Sequence, residues 1–287
     1  MRYENGKVLD LKIAYVGGGS RGWAWGFMTD LTGDGQMEGT VRLYDIDRDA
    51  AEKNAIIGRK LSEHPEAKAH WTYTVADSLQ EAMNGADFVV ISILPGTFDE
   101  MEADVHLPER LGVWQSVGDT AGPGGLSRAM RTLPMLAEIG QAVKDYAPNA
   151  WVINYTNPMT TCMRTLYTVF PEIKAFGCCH EVFGTQKLLC AMLEDQRGIT
   201  GVTRQEIHTG VIGINHFTWL NSATYQGMDL FPMYRKFAEK YHDSGFTKGM
   251  DDNWMNNSFA CSHKVKFDLF LRYGLIAAAG DRHLVEF

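Results

Sequence analysis

Residues 11–22 read LKIAYVGGGSRG, and this stretch decides the fold class. Leu11 to Val16 is a short apolar run of strand-forming residues that leads directly into glycines matching G-x-G-x-x-G at Gly17, Gly19 and Gly22. After a strand and before a helix, such glycines allow a tight turn and let the backbone approach a pyrophosphate at the helix N-terminus. The stretch predicts a dinucleotide-binding turn that includes Ser20. A plain glycine turn is the alternative, because the motif alone is a weak signal.

A second predicted strand, Val41 to Tyr44, ends in Asp45. A carboxylate at this place can accept hydrogen bonds from the adenosine ribose and would repel a 2'-phosphate, so the pattern favours NAD over NADP. Asp45 lies somewhat farther along than the usual spacing of about 20 residues, and Arg48 is close by. The alternative is that Asp45 caps the helix predicted from Arg48 to Leu61.

The chain then continues to alternate between strands and helices. Further strands are predicted at Trp71 to Val75, Phe88 to Ile93, Trp151 to Tyr155 and Ile173 to Cys178, and further helices at Ser78 to Met83, Ser127 to Tyr146 and Phe183 to Leu193. Alternation with nearly continuous apolar strands indicates a doubly wound parallel sheet covered on both faces, of the Rossmann type.

The alternation stops beyond Thr200. Apolar runs follow at Glu206 to Ile214 and Phe217 to Tyr225, and helices are predicted at Phe231 to Tyr241 and Asn256 to Tyr273. We therefore expect an NAD-binding domain over residues 1–200 and part of a mixed α+β substrate domain over residues 201–287. The chain ends at Phe287 inside an unfinished apolar pattern, so we expect this second part to be truncated.

A thiol, an imidazole and a carboxylate stand side by side in Phe176 to Val182, FGCCHEV. The trio falls at a predicted strand-to-helix corner, where α/β proteins place their chemistry. His216, in GINHFTW, offers a second imidazole at the end of another apolar run. One thiolate and one imidazole from separate strand ends can hold a divalent ion in an open site. The alternatives are a small buried cysteine and a hydrogen-bonded core histidine.

Two other segments carry candidate polar groups, one in a predicted loop and one after a predicted strand. Gly118 to Gly125 is dense in glycine and proline, which marks a loop of unusual dihedral angles or close approach, and Asp119 and Thr120 supply polar groups there. Asn157 follows a strand and precedes Pro158. An asparagine in this place can bridge a nicotinamide ribose and a sugar hydroxyl, or it can be a turn residue.

Composition limits the class of partner. The formal net charge is -8 with no cluster of basic residues to offset it, which argues against binding to a nucleic-acid backbone. Five irregularly spaced cysteines do not form a disulfide framework, so we expect a reducing compartment. No run reaches the roughly 18 apolar residues of a membrane span, and we expect a cytoplasmic protein without a membrane partner.

Six motifs in order resemble the family 4 glycoside hydrolases, which use NAD and a divalent metal. They are VGGGSRG, GDTAGPGGLSRAMRTLP, NYTNP, GCCHEV, GINHFTW and AAAGDRHLVEF. The resemblance implies a fold like that of lactate and malate dehydrogenases. It also implies a redox-assisted elimination, in which C3 oxidation acidifies the C2 proton, the C1 oxygen leaves, water adds and the hydride returns.

The resemblance also implies roles for individual residues. Cys179 and His216 would hold Mn²⁺, with Cys178 as the rival ligand, and the ion would act as a Lewis acid on the sugar's C2 and C3 oxygens. Asn157 matches a sugar-binding asparagine. His180 would lie beside the leaving group or substrate.

The resemblance also implies candidates for the acid/base groups. Asp281 is the candidate for acid/base work, with Arg282 beside it as a substrate-binding residue, and Tyr273 is a further candidate base. Ordinary helix caps and exposed polar groups are the alternatives for Asp281 and Tyr273.

The resemblance also implies a class of substrate, which depends on the residues directly after Cys179. Members acting on phospho-sugars carry Asp or Asn there, whereas His180, Glu181 and Val182 look like the branch that acts on α-galacturonides. A uronate carboxylate needs a cationic partner, for which Arg128, Arg131 or Arg282 can serve. Family members continue past GDRH with elements that close the site and build a dimer interface, so we expect a homodimer or homotetramer where that region is present.

Two other functions share part of this pattern. An NAD-dependent 2-hydroxy acid dehydrogenase would have the same sheet and glycine turn, but it needs no metal and would replace Cys179 and His216 with a histidine–carboxylate pair and an arginine clamp. A truncated, inert NAD-binding protein would bind the cofactor without turning over any glycoside.

Overall fold

The computed structural model describes residues 1–247 and 262–287, which form two compact units. One unit contains Met1–Thr97 and Arg128–Cys178, and the other contains Phe98–Ser127 and Cys179–Phe287. The chain passes from the first unit to the second for the last time between Cys178 and Cys179. This is about twenty residues before the boundary expected at 200/201. The reason is that the helix after Cys179 buries its apolar face in the core of the second unit.

The strands, in chain order, are β1 (Arg2–Glu4), β2 (Lys7–Val16), β3 (Met37–Tyr44), β4 (Trp71–Val75), β5 (Phe88–Ile91), β6 (Trp151–Asn154), β7 (Lys174–Gly177), β8 (Ile207–Ile214), β9 (Phe217–Tyr225), β10 (Met228–Asp229) and β11 (Ile276–Ala277).

The α-helices of the described residues are α1 (Trp23–Gly33), α2 (Arg48–Ser62), α3 (Leu79–Met83), α4 (Phe98–His106), α5 (Gly122–Tyr146), α6 (Met159–Val169), α7 (Glu181–Arg197), α8 (Phe231–Tyr241), α9 (Lys264–Tyr273) and α10 (Asp281–Leu284). Short 3₁₀ helices cover Leu107–Leu111 and Arg204–Glu206.

The first unit is built on a parallel sheet in the order β4-β3-β2-β5-β6-β7, with β1 added to β2 in antiparallel fashion. This is the strand order of the dinucleotide-binding fold, in which strands are added to one side of β2 first and then, from β5 onward, to its other side. The predicted doubly wound sheet is therefore confirmed.

Apolar residues cover both faces of that sheet. Successive residues of β2 point to opposite faces, so Ile13 and Tyr15 join one core while Ala14 and Val16 join the other. The first core is closed by α1 and α2, and the second by α3, α5 and α6. Burial on both sides explains why these strands read as nearly continuous apolar runs.

The second unit contains a small antiparallel sheet in the order β10-β9-β11, with β8 also paired to β9. Its core combines residues of α7, α8 and α9 with those of β9, including the fully buried Tyr234, Phe237 and Phe267. The predicted α+β character of this part is confirmed.

Some elements differ from the sequence-based expectation. Helix α5 begins at Gly122 rather than Ser127, because Pro123 suits the first turn of a helix, where no backbone N–H is required. Helix α4 was not predicted. Of the helix expected from Asn256, residues 256–261 lie outside the described residues, and α9 begins at Lys264.

No helix in the described ranges is both long enough and apolar enough to span a membrane.

Candidate functional site

The glycine turn directly follows β2 and leads into α1. The N–H groups of Gly17 and Gly18 both donate to the carbonyl oxygen of Tyr44, at 2.9 Å. Gly17 has φ of 95°, and a Cβ there would lie 1.9 Å from the carbonyl oxygen of Ser92, so only glycine fits. The strand–turn–helix geometry that a dinucleotide site requires is present, while the binding roles of Gly17, Gly19, Ser20 and Gly22 remain predictions.

Gly18 packs closely against Leu43 of β3, although the G-x-G-x-x-G fingerprint does not require a glycine at this position. A Cβ on Gly18 would lie 2.7 Å from the Cβ of Leu43, whereas one on Gly22 would meet nothing within 4 Å in the described part of the chain. Sequence reasoning missed Gly18 because it occupies a variable position of G-x-G-x-x-G.

Asn54 braces the glycine turn from α2 and was also missed. Its side-chain amide donates to the carbonyl oxygens of Gly18 at 2.7 Å and Ser20 at 2.9 Å, and its Oδ1 accepts from Trp25 Nε1 at 2.7 Å. Asn54 is only 3% exposed. A single asparagine on the apolar face of α2 is the one sequence signal that points to it.

Asp45 also contacts the turn. Its Oδ2 accepts from the N–H of Gly19 at 2.8 Å, and its Oδ1 accepts from the N–H of Asp47 at 2.9 Å. The alternative that Asp45 caps α2 is wrong, because Asp47 is the N-cap and accepts from Ala50 N–H at 3.1 Å. Each carboxylate oxygen keeps a further lone pair, so hydrogen bonding to a ribose remains a prediction.

The segment after β6 lies at the carboxyl end of the sheet, as the glycine turn after β2 does, since parallel strands share their carboxyl ends. The buried Asn154 both donates to and accepts from the backbone of Thr156, at 3.0 and 3.1 Å. The Thr156 hydroxyl accepts from the N–H of Ile93 at 3.0 Å. These contacts fix the backbone that presents half-buried Asn157, whose sugar-binding role remains a prediction.

The structure brings together the two residues predicted as metal ligands. Cys179 lies between β7 and α7, and His216 lies in the two-residue loop between β8 and β9. The distance from Cys179 Sγ to His216 Nε2 is 3.7 Å, and His216 is only 2% exposed. The rival ligand, Cys178, belongs to the first unit, where its N–H donates to the carbonyl oxygen of Asn154 at 2.9 Å.

His216 is held in place on several sides. Its backbone has φ of 63°, in the left-handed region that histidine tolerates better than most residues. Its Nδ1 lies 2.5 Å from the hydroxyl oxygen of Thr120, and its ring stacks on that of His283 with centroids 3.6 Å apart. If Nδ1 donates to Thr120, the lone pair of Nε2 faces Cys179, which is the tautomer a metal ligand requires.

The geometry of this pair fits a divalent ion. Bond lengths of about 2.3 Å to sulfur and about 2.1 Å to nitrogen place the two ligand atoms roughly 3.1–3.6 Å apart at angles between 90° and 109°. The observed 3.7 Å is close to that range. Burial raises the pKa of the Cys179 thiol, so a metal must displace its proton on binding.

Residues 1–247 and 262–287 contain no cluster of three or more His, Cys, Asp or Glu side chains arranged for a metal. A two-ligand site leaves its other positions to substrate oxygens or water, as in catalytic rather than structural metal sites.

A buried polar group adjoins Cys179. Glu181, the first residue of α7, accepts from Thr218 Oγ1 at 2.8 Å and from the side-chain amide of Asn215 at 3.3 Å. Burial raises the pKa of Glu181, opposed mainly by these two hydrogen bonds. Glu181 Oε2 and Asn215 Oδ1 are buried without a hydrogen-bond partner among the described residues, so each can accept a hydrogen bond from a ligand or water.

His180 and Arg282 lie near each other in the second unit. Partial burial of the ring, followed by the positive charges of Arg282 and Lys187, lowers the pKa of His180. The carbonyl oxygen of Arg282 accepts from Ser116 Oγ at 2.5 Å. A neutral His180 close to a guanidinium is compatible with the predicted place beside substrate.

The other two candidate catalytic residues have structural contacts. The carboxylate of Asp281 accepts from the N–H groups of Val265 and Lys266, both at 3.2 Å, and so satisfies the first turn of α9. Tyr273 is 67% exposed at the C-terminal end of α9, with its ring edge-on to Trp219. The capping alternative for Asp281 is thus present in the structure, and the catalytic roles of both residues remain predictions.

Arg128 and Arg131 lie on the part of α5 that belongs to the first unit. Arg128 is 8% exposed, and Arg131 is half-buried. Pairing of either one with a uronate carboxylate remains a prediction.

Comparison with known proteins identifies the family. The model described as "Family 4 glycosyl hydrolase" matches residues 12–195, and that of the "Family 4 glycosyl hydrolase C-terminal domain" matches residues 211–286. The chain belongs to family 4 of the glycosyl hydrolases, which confirms the resemblance seen in its motifs.

Two relatives are more than 50% identical to this chain over nearly its whole length. An alpha-galacturonidase of Lachnoclostridium phytofermentans is 63% identical over 287 residues, which are 100% of this chain and 61% of the relative. The crystal structure of lplD from Bacillus subtilis is 54% identical, with a TM-score of 0.90 over 96% of this chain and 62% of that chain. The chain thus spans about three fifths of the length of these relatives.

More distant structures share the fold. A 6-phospho-alpha-glucosidase from gut microorganisms, solved in complex with NAD and Mn²⁺, is 22% identical with a TM-score of 0.72 over 92% of this chain and 62% of that one. Lactate dehydrogenase from Eimeria maxima is 19% identical with a TM-score of 0.56 over 99% and 74%. The predicted likeness to lactate dehydrogenase is therefore confirmed for the fold.

Proposed function

We propose that this chain is part of an enzyme that hydrolyses α-galacturonides by the redox-assisted elimination of its family. The observation that carries the proposal is the approach of Cys179 to His216 at 3.7 Å, in a chain 63% identical to an alpha-galacturonidase. A plain dehydrogenase has no use for a buried thiol–imidazole pair, and family membership argues against that alternative.

The proposal assigns NAD to the turn of Gly17, Gly19, Ser20 and Gly22, and Mn²⁺ to Cys179 and His216. When bound, an oxidised nicotinamide accepts a hydride, and a divalent ion polarises the oxygens it touches. The chain contributes the backbone N–H groups of the turn and the N-terminus of α1, which favour a pyrophosphate. Asp45 would receive the adenosine ribose.

The remaining residues act on the sugar. Asn157 would hydrogen-bond a sugar hydroxyl, and Arg282, Arg128 or Arg131 would pair with the uronate carboxylate. Asp281 is the proposed acid/base group, with Tyr273 as a further candidate base. Asp281 can accept a proton while it caps α9, because each carboxylate oxygen carries two lone pairs. His180 would lie beside the leaving group.

The test is hydrolysis of p-nitrophenyl α-galacturonide under reducing conditions, with NAD⁺ and Mn²⁺ each present or absent. The α-glucoside, α-galactoside and α-glucuronide serve as comparison substrates. We expect release only when both additions are present, with preference for the galacturonide. Release that is unaffected by removing NAD⁺ and by chelating the metal would contradict the mechanism, and preference for a neutral sugar would contradict the substrate.

Two further properties belong to this proposal. Cys162, Cys178, Cys179 and Cys190 are free thiols, which supports a reducing, cytoplasmic compartment. We also propose a homodimer or homotetramer for the longer protein, and light scattering coupled to size-exclusion chromatography would measure its mass.

A further inference from the structure

Glu286 is a buried carboxylate that binds three consecutive backbone amides. Its side chain is 0% exposed. Its Oε1 accepts from the N–H of Asp119 at 2.9 Å, and its Oε2 accepts from those of Thr120 at 2.8 Å and Ala121 at 3.1 Å. Consecutive N–H groups that converge on one anion fix a loop more firmly than separate contacts do, because all three must break together.

The loop held in this way carries the hydroxyl group that contacts His216. The side chain of Thr120 lies on the segment that Glu286 binds, and its Oγ1 is 2.5 Å from His216 Nδ1. A change in the backbone at Thr120 therefore moves the group that sets the tautomer and orientation of the imidazole.

Glu286 also adjoins the ring that covers His216. Its Oε1 lies 4.0 Å from His283 Nδ1, and the ring of His283 stacks on that of His216 at 3.6 Å. One carboxylate thus adjoins both residues that restrain the imidazole, because it accepts from the backbone N–H of Thr120 and lies at ion-pair distance from His283.

We propose that Glu286 is a positioning residue for the metal centre, which fixes His216 through the Thr120 hydroxyl so that Nε2 faces Cys179. The inference rests on the proposed metal site. It requires no contact between Glu286 and the metal or substrate. Groups that orient metal-bound histidines in this way are typically worth 10- to 100-fold in metal affinity.

The test measures Mn²⁺ affinity by electron paramagnetic resonance of the free ion, in the 287-residue chain. Glu286→Gln keeps the shape of the side chain but places an amide NH₂ group against backbone N–H donors. Thr120→Val removes only the hydroxyl, and Thr120→Ser restores it. We expect Glu286→Gln and Thr120→Val to weaken Mn²⁺ binding by about 10- to 100-fold, and Thr120→Ser to stay close to wild type.

A matched control separates positioning from general loss of stability. Thr185→Val removes a buried hydroxyl of the same unit, whose partners are Lys266 Nζ at 2.6 Å and the carbonyl oxygen of Ala278 at 2.7 Å. We expect it to lower the thermal midpoint without changing Mn²⁺ affinity. Equal weakening by Thr185→Val and Glu286→Gln would overturn the positioning role.

The outcomes also separate this inference from the proposed function. If Cys179→Ser weakens Mn²⁺ binding but folded Glu286→Gln does not, the role of Glu286 is wrong while the metal site stands. If wild type and Cys179→Ser bind Mn²⁺ equally, both are wrong. Should Glu286→Gln fail to fold, Thr120→Val decides, and wild-type affinity in that variant overturns the inference.

Discussion

His216 is restrained by a left-handed backbone, by the Thr120 hydroxyl at its Nδ1 and by the ring of His283 on its face. Its place at the end of an apolar run, together with Cys179 after another strand, left a buried cysteine and a core histidine as alternatives, and the resemblance to family 4 favoured the metal-binding pair. Thr120 and His283, which restrain the imidazole, could not be predicted as its partners because they lie 96 residues before it and 67 residues after it in the chain. Contacts over such separations depend on tertiary packing, which no local pattern contains.

The backbone of His216 leads to a prediction about stability. A left-handed residue at the second position of a hairpin loop favours Gly or Asn over Ala by roughly 1 kcal/mol. We therefore expect His216→Asn to be more stable than His216→Ala by about that amount, while both lose Mn²⁺ binding. Urea denaturation measures the difference. Equal stability of the two variants would show that the left-handed backbone imposes no preference.

The glycine turn gives a second prediction. A methyl group on Gly18 would collide with Leu43, so Gly18→Ala should destabilise the protein by roughly 1–3 kcal/mol. A methyl group on Gly22 would meet no described residue within 4 Å, so Gly22→Ala should change stability by less than about 0.5 kcal/mol. Denaturation midpoints of the two variants test this ordering, and a larger loss for Gly22→Ala would reverse it.

At the scale of elements, the sequence was most informative where the apolar period was clear. Strands β4 and β9 and helix α8 have the predicted bounds, and β9 is flanked at both ends by polar residues, His216 and Gln226. Helix α5 begins five residues early, at Gly122, since glycines that predicted a loop are tolerated in a first turn that contains Pro123. Helix α4 was missed.

The start of helix α9 predicts a pH dependence. Burial, followed by the charge of Lys266, lowers the pKa of His263 from 6.5 to about 3. His263 is then neutral in the folded protein between those values, while the unfolded chain binds a proton, so stability falls as the pH drops below about 6.5. From pH 7 to pH 5 the loss is on the order of 1–2 kcal/mol.

The variant His263→Asn tests this effect. Asparagine tolerates the left-handed backbone at this residue, where φ is 63°, and it does not titrate. Denaturant unfolding at pH 7 and pH 5 should show a smaller loss of stability in the variant than in wild type. The same loss in both proteins would mean that His263 does not contribute.

At the scale of the whole molecule, the sheet order followed from the alternation of strands and helices, but the division into units did not. Helix α7 reads as one more helix after a strand, and only its packing against α8 and β8 assigns it to the second unit. Residues 98–127, which the second unit also contains, interrupt the first unit in sequence. The glycine-rich stretch at 118–125 predicted a loop near its end, but nothing in the sequence indicated a change of unit.

Because the proposed NAD and Mn²⁺ ligands belong to different units, we expect a change in one site to leave the affinity of the other site unchanged. Cys179→Ser should reduce Mn²⁺ affinity at least 100-fold and leave NAD affinity within about twofold of wild type, because the glycine turn belongs to the first unit. Cys178→Ser is the matched control and should retain both affinities. Calorimetric titration measures them, and loss of Mn²⁺ binding in Cys178→Ser instead would assign the ligand to the neighbouring thiol.

In the proposed mechanism, the glycosidic bond is broken after removal of the C2 proton. Hydrolysis of an α-galacturonide in D₂O with NAD⁺ and Mn²⁺, followed by proton NMR of the sugar product, tests this order of events. We expect galacturonic acid that carries deuterium at C2, because the abstracted proton exchanges with solvent before the hydride returns. A product that keeps its C2 proton, formed at an undiminished rate, would contradict the elimination mechanism.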